Sequence, residues 1–307
     1  MEKTADKRPI LPQALQKGDT LGLVCPAGPL TDSNTFAEGI HILEEAGYRV
    51  KYTEAVNARR NYLAGPDDLR AAEFNRMWQD EQVKAILAVR GGYGCLRIVE
   101  FLDLEQVRTN PKLLIGFSDI TILLNHIAAR TGLVTLHGPM LTTLNRSNAE
   151  SRSSLLNAFS RLPEAVTSKD ITVLSDHDAR GRLVGGNLAN LVHLLGTPYE
   201  IDWRDAIVFL EDIGEPPYKV DRMLTQLAAT GKLQQARGII IGSFSEAEFD
   251  DPAESELIHG RLRELAGGDT ALWVNFPVGH GPRNLCLPIG MTAEMDSAAG
   301  TLHFIND

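Results

Sequence analysis

The chain has 307 residues, 43% of them hydrophobic and 23% charged, which is the composition of an ordinary globular protein long enough for two domains. Its formal net charge of -10 argues against a nucleic-acid partner, because phosphate binding requires a basic surface. The three cysteines are far apart and provide neither a disulfide framework nor metal-ligand spacing, and no apolar stretch approaches the roughly 20 residues that span a membrane.

The first half of the chain alternates short apolar runs with helical patterns. The apolar runs predict strands at residues 20–24, 49–52, 85–89, 113–115 and 134–136. Helical periodicity predicts helices at residues 35–46, 67–79, 120–130 and 148–161. Alternation of this kind indicates a parallel sheet with helices on both faces. We therefore expect residues 1–162 to form an α/β domain with an open, mostly parallel sheet.

The pattern changes in the second half. Residues 163–178 are polar without a clear period, and we interpret them as a linker. Beyond them, strands are predicted at residues 182–184, 206–210, 238–241 and 301–304, and helices at residues 188–195, 218–229 and 254–265. Residues 179–307 are therefore expected to form a C-terminal α+β domain, with a small β-barrel as one form that it could take.

The segment LLIGFSDIT places Ser118 at a sharp turn between a predicted strand and a predicted helix. This is the geometry of a nucleophile elbow, in which the hydroxyl projects above the sheet edge near a helix N-terminus. Ile120 stands where the usual motif has its second glycine. An alternative interpretation is that Ser118 or Asp119 only caps the following helix.

A serine nucleophile needs a base and an orienting acid. His280 is the preferred base because the loop FPVGHGPRN can hold an imidazole on a rigid backbone, and His137, just past a predicted strand, is the second candidate. Glu211 ends an apolar strand, where a carboxylate needs a partner such as an imidazole N–H. Asp212 and Glu215 follow it, and capping or solvation explains them equally well.

The glycine loop VRGGYG matches neither phosphate-binding motif, so a phosphate site is not predicted. Such a loop can also bring a bare backbone N–H close to a reacting oxygen. We expect the N–H groups of Gly92 and Asp119 to form an oxyanion hole around Ser118. The sequence contains no H-E-x-x-H or C-x-x-C motif, and we predict no metal and no cofactor.

The motifs AVRGGYG, IGFSDIT, GPM, GGNL, FLEDIGEPPYKVDRML, GSF and VGHG, in this order from about residue 20 to 290, resemble those of the LD-carboxypeptidases, the murein tetrapeptide carboxypeptidases. The resemblance implies a metal-independent Ser–His–Glu triad. Its nucleophile falls on Ser118, its acid on Glu211 and its base on His280. It also implies an N-terminal open-sheet domain and a C-terminal domain that delivers Glu and His, with the active site between the domains.

The resemblance further implies a cytoplasmic homodimer that releases the terminal D-alanine of a murein tetrapeptide during wall recycling. The N-terminus has no apolar segment of a secretory signal, which agrees with that location. A related branch gives immunity to microcin C by cleaving a peptidyl-nucleotide toxin, for which Trp203 is the candidate aromatic platform. A non-catalytic protein that binds a small molecule through RGGYG and GGN is the third hypothesis.

A carboxypeptidase has to recognise a free substrate carboxylate, which requires a cation or converging N–H groups. Arg90 lies beside the glycine loop, and Arg283 follows His280 by three residues. Both are candidates for this role, and each is open to the alternative interpretation of a structural ion pair.

Overall fold

The computed structural model describes residues 8–245 and 251–306. Within them the strands are β1 (Thr20–Val24), β2 (Arg49–Lys51), β3 (Val83–Ala88), β4 (Leu113–Gly116), β5 (Thr135–His137), β6 (Ala165–Thr167), β7 (Thr172–Ser175), β8 (Ala179–Asn187), β9 (Ala206–Glu211), β10 (Gly238–Ile241), β11 (Ala271–Val274), β12 (Leu287–Ile289), β13 (Thr292–Asp296) and β14 (Thr301–Ile305). The helices are α1 (Ser33–Glu45), α2 (Asp67–Gln79), α3 (Leu104–Thr109), α4 (Thr121–Thr131), α5 (Ala149–Ser160), α6 (Leu188–His193), α7 (Pro217–Ala229), α8 (Lys232–Gln235) and α9 (Pro252–Leu265).

The chain divides into two compact units. Unit 1 comprises Met1–Leu162 together with Cys286–Gly290, and unit 2 comprises Pro163–Leu285 together with Met291–Asp307. No helix among the described residues combines the length and apolar character needed to cross a membrane.

Unit 1 is built on a six-stranded sheet with the order β12-β5-β4-β3-β1-β2. The strands β1 to β5 are parallel, and β12 pairs antiparallel with β5. All four residues of β4 and five of the six in β3 are buried, which explains why these strands read as continuous apolar runs. The predicted open, mostly parallel sheet is confirmed, and the nine strands and helices predicted here lie within two residues of those in the structure.

Unit 2 contains an eight-stranded sheet with the order β6-β14-β13-β8-β9-β10-β11-β7. Its central strands β8 to β11 are parallel, and the outer pairs are antiparallel. The edge strands β6 and β7 do not pair with each other in the described part of the chain, so the sheet is open rather than a barrel. Its hydrophobic core includes Trp203 and Leu210 of the sheet side and Leu224 and Leu262 of the helices.

Residues 163–178, interpreted from the sequence as a linker, instead form part of the second sheet. They contain β6, which pairs with β14, and β7, which pairs with β11. Both are edge strands whose side chains are mostly exposed or half-buried, which accounts for their polar sequence. A second difference is that β12, which lies in the range expected for the C-terminal domain, belongs to the sheet of unit 1.

Candidate active site

The sheet of unit 1 has a topological switch point between β1 and β3. The parallel strands follow the order 2-1-3-4-5, so the connections from β1 and from β3 lead to opposite sides of the sheet. Ligands of open parallel sheets bind outside the carboxyl ends of the strands at such a point. Gly28, after β1, donates its N–H to the carbonyl of Gly91, after β3, at 3.0 Å. Ser118 follows the neighbouring strand β4, so the predicted nucleophile lies on this edge.

Ser118 occupies a strained turn between β4 and α4. Its φ is +61°, in the left-handed region that residues with a side chain seldom adopt and that costs on the order of 1–3 kcal/mol. Its hydroxyl makes no hydrogen bond to the described residues of unit 1. Neither the short 3₁₀ turn at Ser118–Ile120 nor α4 has a side-chain cap, so the helix-capping alternative does not hold.

The glycine loop, residues 90–95, lies directly against this serine. A Cβ placed on Gly91 would be 2.8 Å from Ser118 Cβ and 2.9 Å from its Oγ, so only glycine fits there. Gly92 has a φ of +122°, which also favours glycine. The backbone N–H groups of Gly92 and Asp119 have no hydrogen-bond acceptor in the described part of unit 1. Two free donors beside a serine hydroxyl are what an oxyanion hole requires.

Arg90 begins the glycine loop and faces the loop that follows β1. Its Nη1 donates to the carbonyl of Pro29 and to Thr31 Oγ1, both at 3.0 Å. The guanidinium therefore ties two loops of the switch point together, and its role in binding a substrate carboxylate stays a prediction.

In unit 2 the structure brings Glu211 and His280 together. Glu211 is the last residue of β9 and is fully buried, and His280, in the loop after β11, is 7% exposed. Their Nδ1 and Oε2 atoms are 2.7 Å apart. A carboxylate at Nδ1 holds the proton on that nitrogen, which leaves Nε2 of the neutral ring as a proton acceptor. Glu211 Oε1 is buried and makes no hydrogen bond to the described residues of this unit.

The turn after Glu211 is fixed by Asp212, whose role the sequence did not reveal. Its carboxylate accepts hydrogen bonds from Asn187 Nδ2 at 2.8 Å, Ala189 N at 2.9 Å and Ile213 N at 2.8 Å. Burial, and then the charge of Glu211, raises the pKa of Asp212. The motif GGNL is therefore the partner of LED, since its asparagine bonds to the residue that follows the acid.

The loop that carries His280 depends on close backbone packing. Gly279 has a φ of +141°, and a Cβ on it would meet Ser243 at 3.0 Å. Its N–H donates to Asn284 Oδ1 at 3.3 Å. The glycine beside His280 thus lets the loop pass close to the end of β10, which holds the imidazole at the carboxyl edge of the parallel strands.

Arg283 lies in the same unit and has partners there. Its guanidinium forms an ion pair with Asp170 at 3.0 Å and donates to Ser168 Oγ at 3.0 Å. Arg283 also lines a cavity of about 410 Å³ whose wall includes Val278 and Gly281, on either side of His280. The structural ion pair is therefore present, and the substrate-carboxylate role stays a prediction.

The remaining candidates have other surroundings. His137 is fully buried in β5, with its ring 5.8 Å from that of Phe117 in edge-to-face contact. Glu215 pairs with Lys219 at 3.3 Å. Trp203 is fully buried in the core of unit 2, so its interpretation as a nucleotide platform is wrong; its apolar area is used for packing. The described residues contain no group of three or more His, Cys, Asp or Glu arranged to hold a metal ion.

Comparison with known proteins gives the same family for both units. A model of the LD-carboxypeptidase N-terminal domain matches residues 21–138, and a model of the LD-carboxypeptidase C-terminal domain matches residues 180–295. The probable murein peptide carboxypeptidase of Bacillus subtilis is 40% identical, over 94% of this chain and 92% of the relative. The murein tetrapeptide carboxypeptidase of Pseudomonas aeruginosa is 32% identical, over 94% and 97%.

A more distant relative is the microcin C7 self-immunity protein MccF of Escherichia coli, which is 25% identical over 94% of this chain and 93% of its own. A solved structure of MccF without ligand has a TM-score of 0.86 at 24% identity and covers 97% of this chain and 99% of that one. This likeness shows that the two chains share a fold.

Proposed function

The chain belongs to the LD-carboxypeptidase family of hydrolases, and from this premise we propose that it is a serine carboxypeptidase that removes the terminal D-alanine from a murein tetrapeptide. The observation that carries the proposal is the buried contact of 2.7 Å between His280 Nδ1 and Glu211 Oε2. A buried carboxylate on the inner nitrogen of an imidazole is the arrangement of a general base. In this proposal Ser118 is the nucleophile that the base activates.

In the first step His280 Nε2 accepts the Ser118 proton while Oγ attacks the carbonyl carbon before the terminal residue. The carbonyl oxygen gains negative charge, and the N–H groups of Gly92 and Asp119 stabilise it. Because these donors have no partner in the described part of unit 1, no bond has to be broken before they act. Glu211 stabilises the imidazolium that forms.

In the second step the tetrahedral intermediate collapses and the C–N bond breaks. His280 returns the proton to the leaving amine, which departs as free D-alanine, and an ester remains on Ser118. A water molecule then attacks the ester with His280 again as the base, and the shortened peptide leaves with a new carboxylate.

Murein peptide is the preferred substrate class because relatives named for it are 40% and 32% identical to the chain, against 25% for MccF. The free carboxylate of the substrate needs a cation, and Arg90 and Arg283 are the proposed ligands. The family resemblance also supports proposals of a cytoplasmic location, a role in peptidoglycan recycling and a homodimer, for which analytical ultracentrifugation is the direct test of the oligomer.

The decisive experiment is incubation of the purified protein with a murein tetrapeptide, followed by mass spectrometry. We expect tripeptide and D-alanine in equal amounts, an unchanged rate in excess EDTA, and covalent labelling of Ser118 by a fluorophosphonate. Inactivation by EDTA that zinc reverses would replace the serine mechanism. Failure of the fluorophosphonate to label Ser118, together with absence of cleavage, would favour the non-catalytic binding protein.

A competition assay tests the exopeptidase assignment. We expect the free-acid tetrapeptide to be cut far faster than its C-terminal amide, because a site built for a carboxylate rejects an analogue that leaves its donors unpaired. A tetrapeptide ending in L-alanine should also be a poor substrate. Similar cleavage of all three peptides would indicate an open groove and would remove the carboxypeptidase proposal. Aminoacyl sulfamoyl nucleoside, the kind of ligand found with MccF, serves as the comparison substrate for the immunity branch.

A further inference from the structure

The glycine loop is anchored to the nucleophile turn, residues 116–120, by one buried carboxylate. Asp119 is only 2% exposed, and its Oδ2 accepts the backbone N–H of Cys95 at 2.8 Å. The two residues are 24 positions apart in the sequence, so this bond joins the turn after β4 to the far end of the loop after β3. It therefore links the two segments that carry the proposed oxyanion donors.

Two further bonds hold the loop on either side of Gly92. The carbonyl of Gly91 accepts from Gly28 N at 3.0 Å, and the carbonyl of Gly94 accepts from Arg70 Nη1 at 3.0 Å. Arg70 is itself 2% exposed. Backbone groups before and after Gly92 are thus paired, whereas the Gly92 N–H has no acceptor among the described residues of unit 1. The loop therefore leaves the N–H of Gly92 available, while hydrogen bonds hold the backbone on both sides of it.

We propose that the side chain of Asp119 is a positioning residue: it holds the glycine loop against the nucleophile turn, so that the N–H groups of Gly92 and Asp119 converge on one oxygen. The inference rests on the proposed serine mechanism. It assigns the aspartate of GFSD a second role, because its backbone N–H is a proposed donor and its carboxylate fixes the position of the other donor.

The burial of Asp119 gives a reason to treat its hydrogen bonds to the glycine loop as more than a local contact. Burial raises the pKa of Asp119, against the hydrogen bonds from Cys95 and Gly94 and the charge of Arg70, which lower it. A buried carboxylate is costly for folding, and an asparagine would accept the Cys95 N–H without that cost. The hydrogen bonds that Asp119 accepts from the glycine loop, rather than its charge, are therefore what the proposed positioning role requires.

The test compares Asp119→Ala and Asp119→Asn with Asp103→Ala. Asp103 controls for the loss of an aspartate that accepts a backbone N–H, because its exposed carboxylate accepts that of Gln106 at 2.9 Å at the start of α3, away from the loop. We expect Asp119→Ala to lower kcat about 100-fold with KM unchanged, since a displaced donor is lost only in the transition state. Asp119→Asn should retain most of the activity, because its amide oxygen can accept the same N–H. Asp103→Ala should match the wild type.

Two measurements separate positioning from a loss of folded protein. Each kcat is divided by the fraction of Ser118 that a fluorophosphonate labels at completion, and amide hydrogen exchange is followed at Cys95 and at Gly28, whose N–H donates to the loop carbonyl of Gly91. The inference predicts faster exchange at both sites in Asp119→Ala, with a full labelled fraction. It is overturned if normalised kcat is unchanged, if the loss disappears on normalisation, or if KM alone rises. A wild type that releases no D-alanine would overturn the proposed function instead, and the exchange data would still decide whether Asp119 holds the loop.

Discussion

In unit 1 the Ser118 hydroxyl and the two proposed oxyanion donors have no partner among the described residues of that unit, whereas in unit 2 Glu211 and His280, the proposed acid and base, are already paired with each other. The Ser118 hydroxyl and the N–H groups of Gly92 and Asp119 make no hydrogen bond to the described residues of unit 1, and Ser118 has a φ of +61°. In unit 2 the imidazole and the carboxylate are buried and 2.7 Å apart. The proposed nucleophile region thus has unused hydrogen-bonding groups, whereas the proposed acid and base are already in contact within their own unit.

The two regions nevertheless share a device. A buried aspartate follows a proposed catalytic residue in each: Asp119 after Ser118, and Asp212 after Glu211. Each accepts backbone N–H groups from a glycine-containing segment elsewhere in its own unit. In the proposed mechanism, donors that act on a transition state need a fixed backbone around them, and the hydrogen bonds to the two aspartates would fix it.

The largest expected effect tests whether the two regions act as one unit. Ser118→Ala and His280→Ala should each lower kcat about 10⁶-fold, and the double variant should be hardly worse than either single one. A residual rate from the oxyanion hole remains in all three. The measurement is D-alanine release under saturating tetrapeptide. If the double variant loses the product of the two single losses, Ser118 and His280 do not share a mechanism.

The second-largest expected effect tests whether activity requires the hydrogen bond between Glu211 and His280. Glu211→Gln keeps the size of the side chain, but its amide can turn an N–H toward His280 Nδ1 and stabilise the wrong tautomer. We expect kcat to fall about 10⁴-fold with the fold intact. Glu215→Gln in the same loop is the control, because Glu215 is half-buried and pairs with Lys219 at 3.3 Å rather than with a histidine. Equal losses in the two variants would contradict the assignment of the acid.

The third prediction tests the unpaired N–H of Gly92 in unit 1 by removing this donor without moving the backbone. Proline cannot serve at Gly92, because its φ is near -65° and Gly92 has +122°. Replacing Gly92 by glycolic acid converts the N–H to an ester oxygen and should lower kcat by about 10²–10³. The same ester at exposed Gly268 is the control. Full activity of the Gly92 ester in steady-state assays would remove this donor from the mechanism.

The smallest effect concerns stability and the helix behind the nucleophile. Burial lowers the pKa of His126, on α4, to about 4 from 6.5. Between these values the unfolded chain binds the extra proton, so stability is full above pH 6.5 and is lost as the pH falls toward 4. His126→Gln should reduce the drop in melting temperature between pH 7 and pH 5, and His41→Gln on the exposed face of α1 should not. An unchanged drop in His126→Gln would show that other groups control acid unfolding.

Burial decided which strands could be predicted from the sequence. In unit 1 the strands are apolar runs and the helices alternate with them, so their positions were predictable. In unit 2 the edge strands β6 and β7 are mostly exposed, and their polar residues were indistinguishable from a linker. The strand β12 has only three residues, one of them proline, and its position in the other unit's sheet depends on tertiary structure.

Some residues of the candidate site could be predicted from the sequence, and others could not. Ser118, Glu211 and His280 stand out because each lies at a strand end or in a glycine-flanked loop. The carboxylates of Asp119 and Asp212 could not be assigned from sequence, because their partners Cys95 and Ala189 lie about 23–24 positions away along the chain. Only tertiary structure shows which N–H group a buried carboxylate accepts.

The return of β12 to the first sheet affects the order in which the protein can fold during synthesis. The edge of β5 stays unpaired, and the place of Cys286 in the core of unit 1 stays empty, until residues 286–290 have left the ribosome. By then all of unit 2 except its last two strands has been made. Unit 1 thus cannot be completed as the first finished product of translation, as N-terminal domains often are. While it waits, an exposed strand edge is a hazard for pairing with other nascent chains.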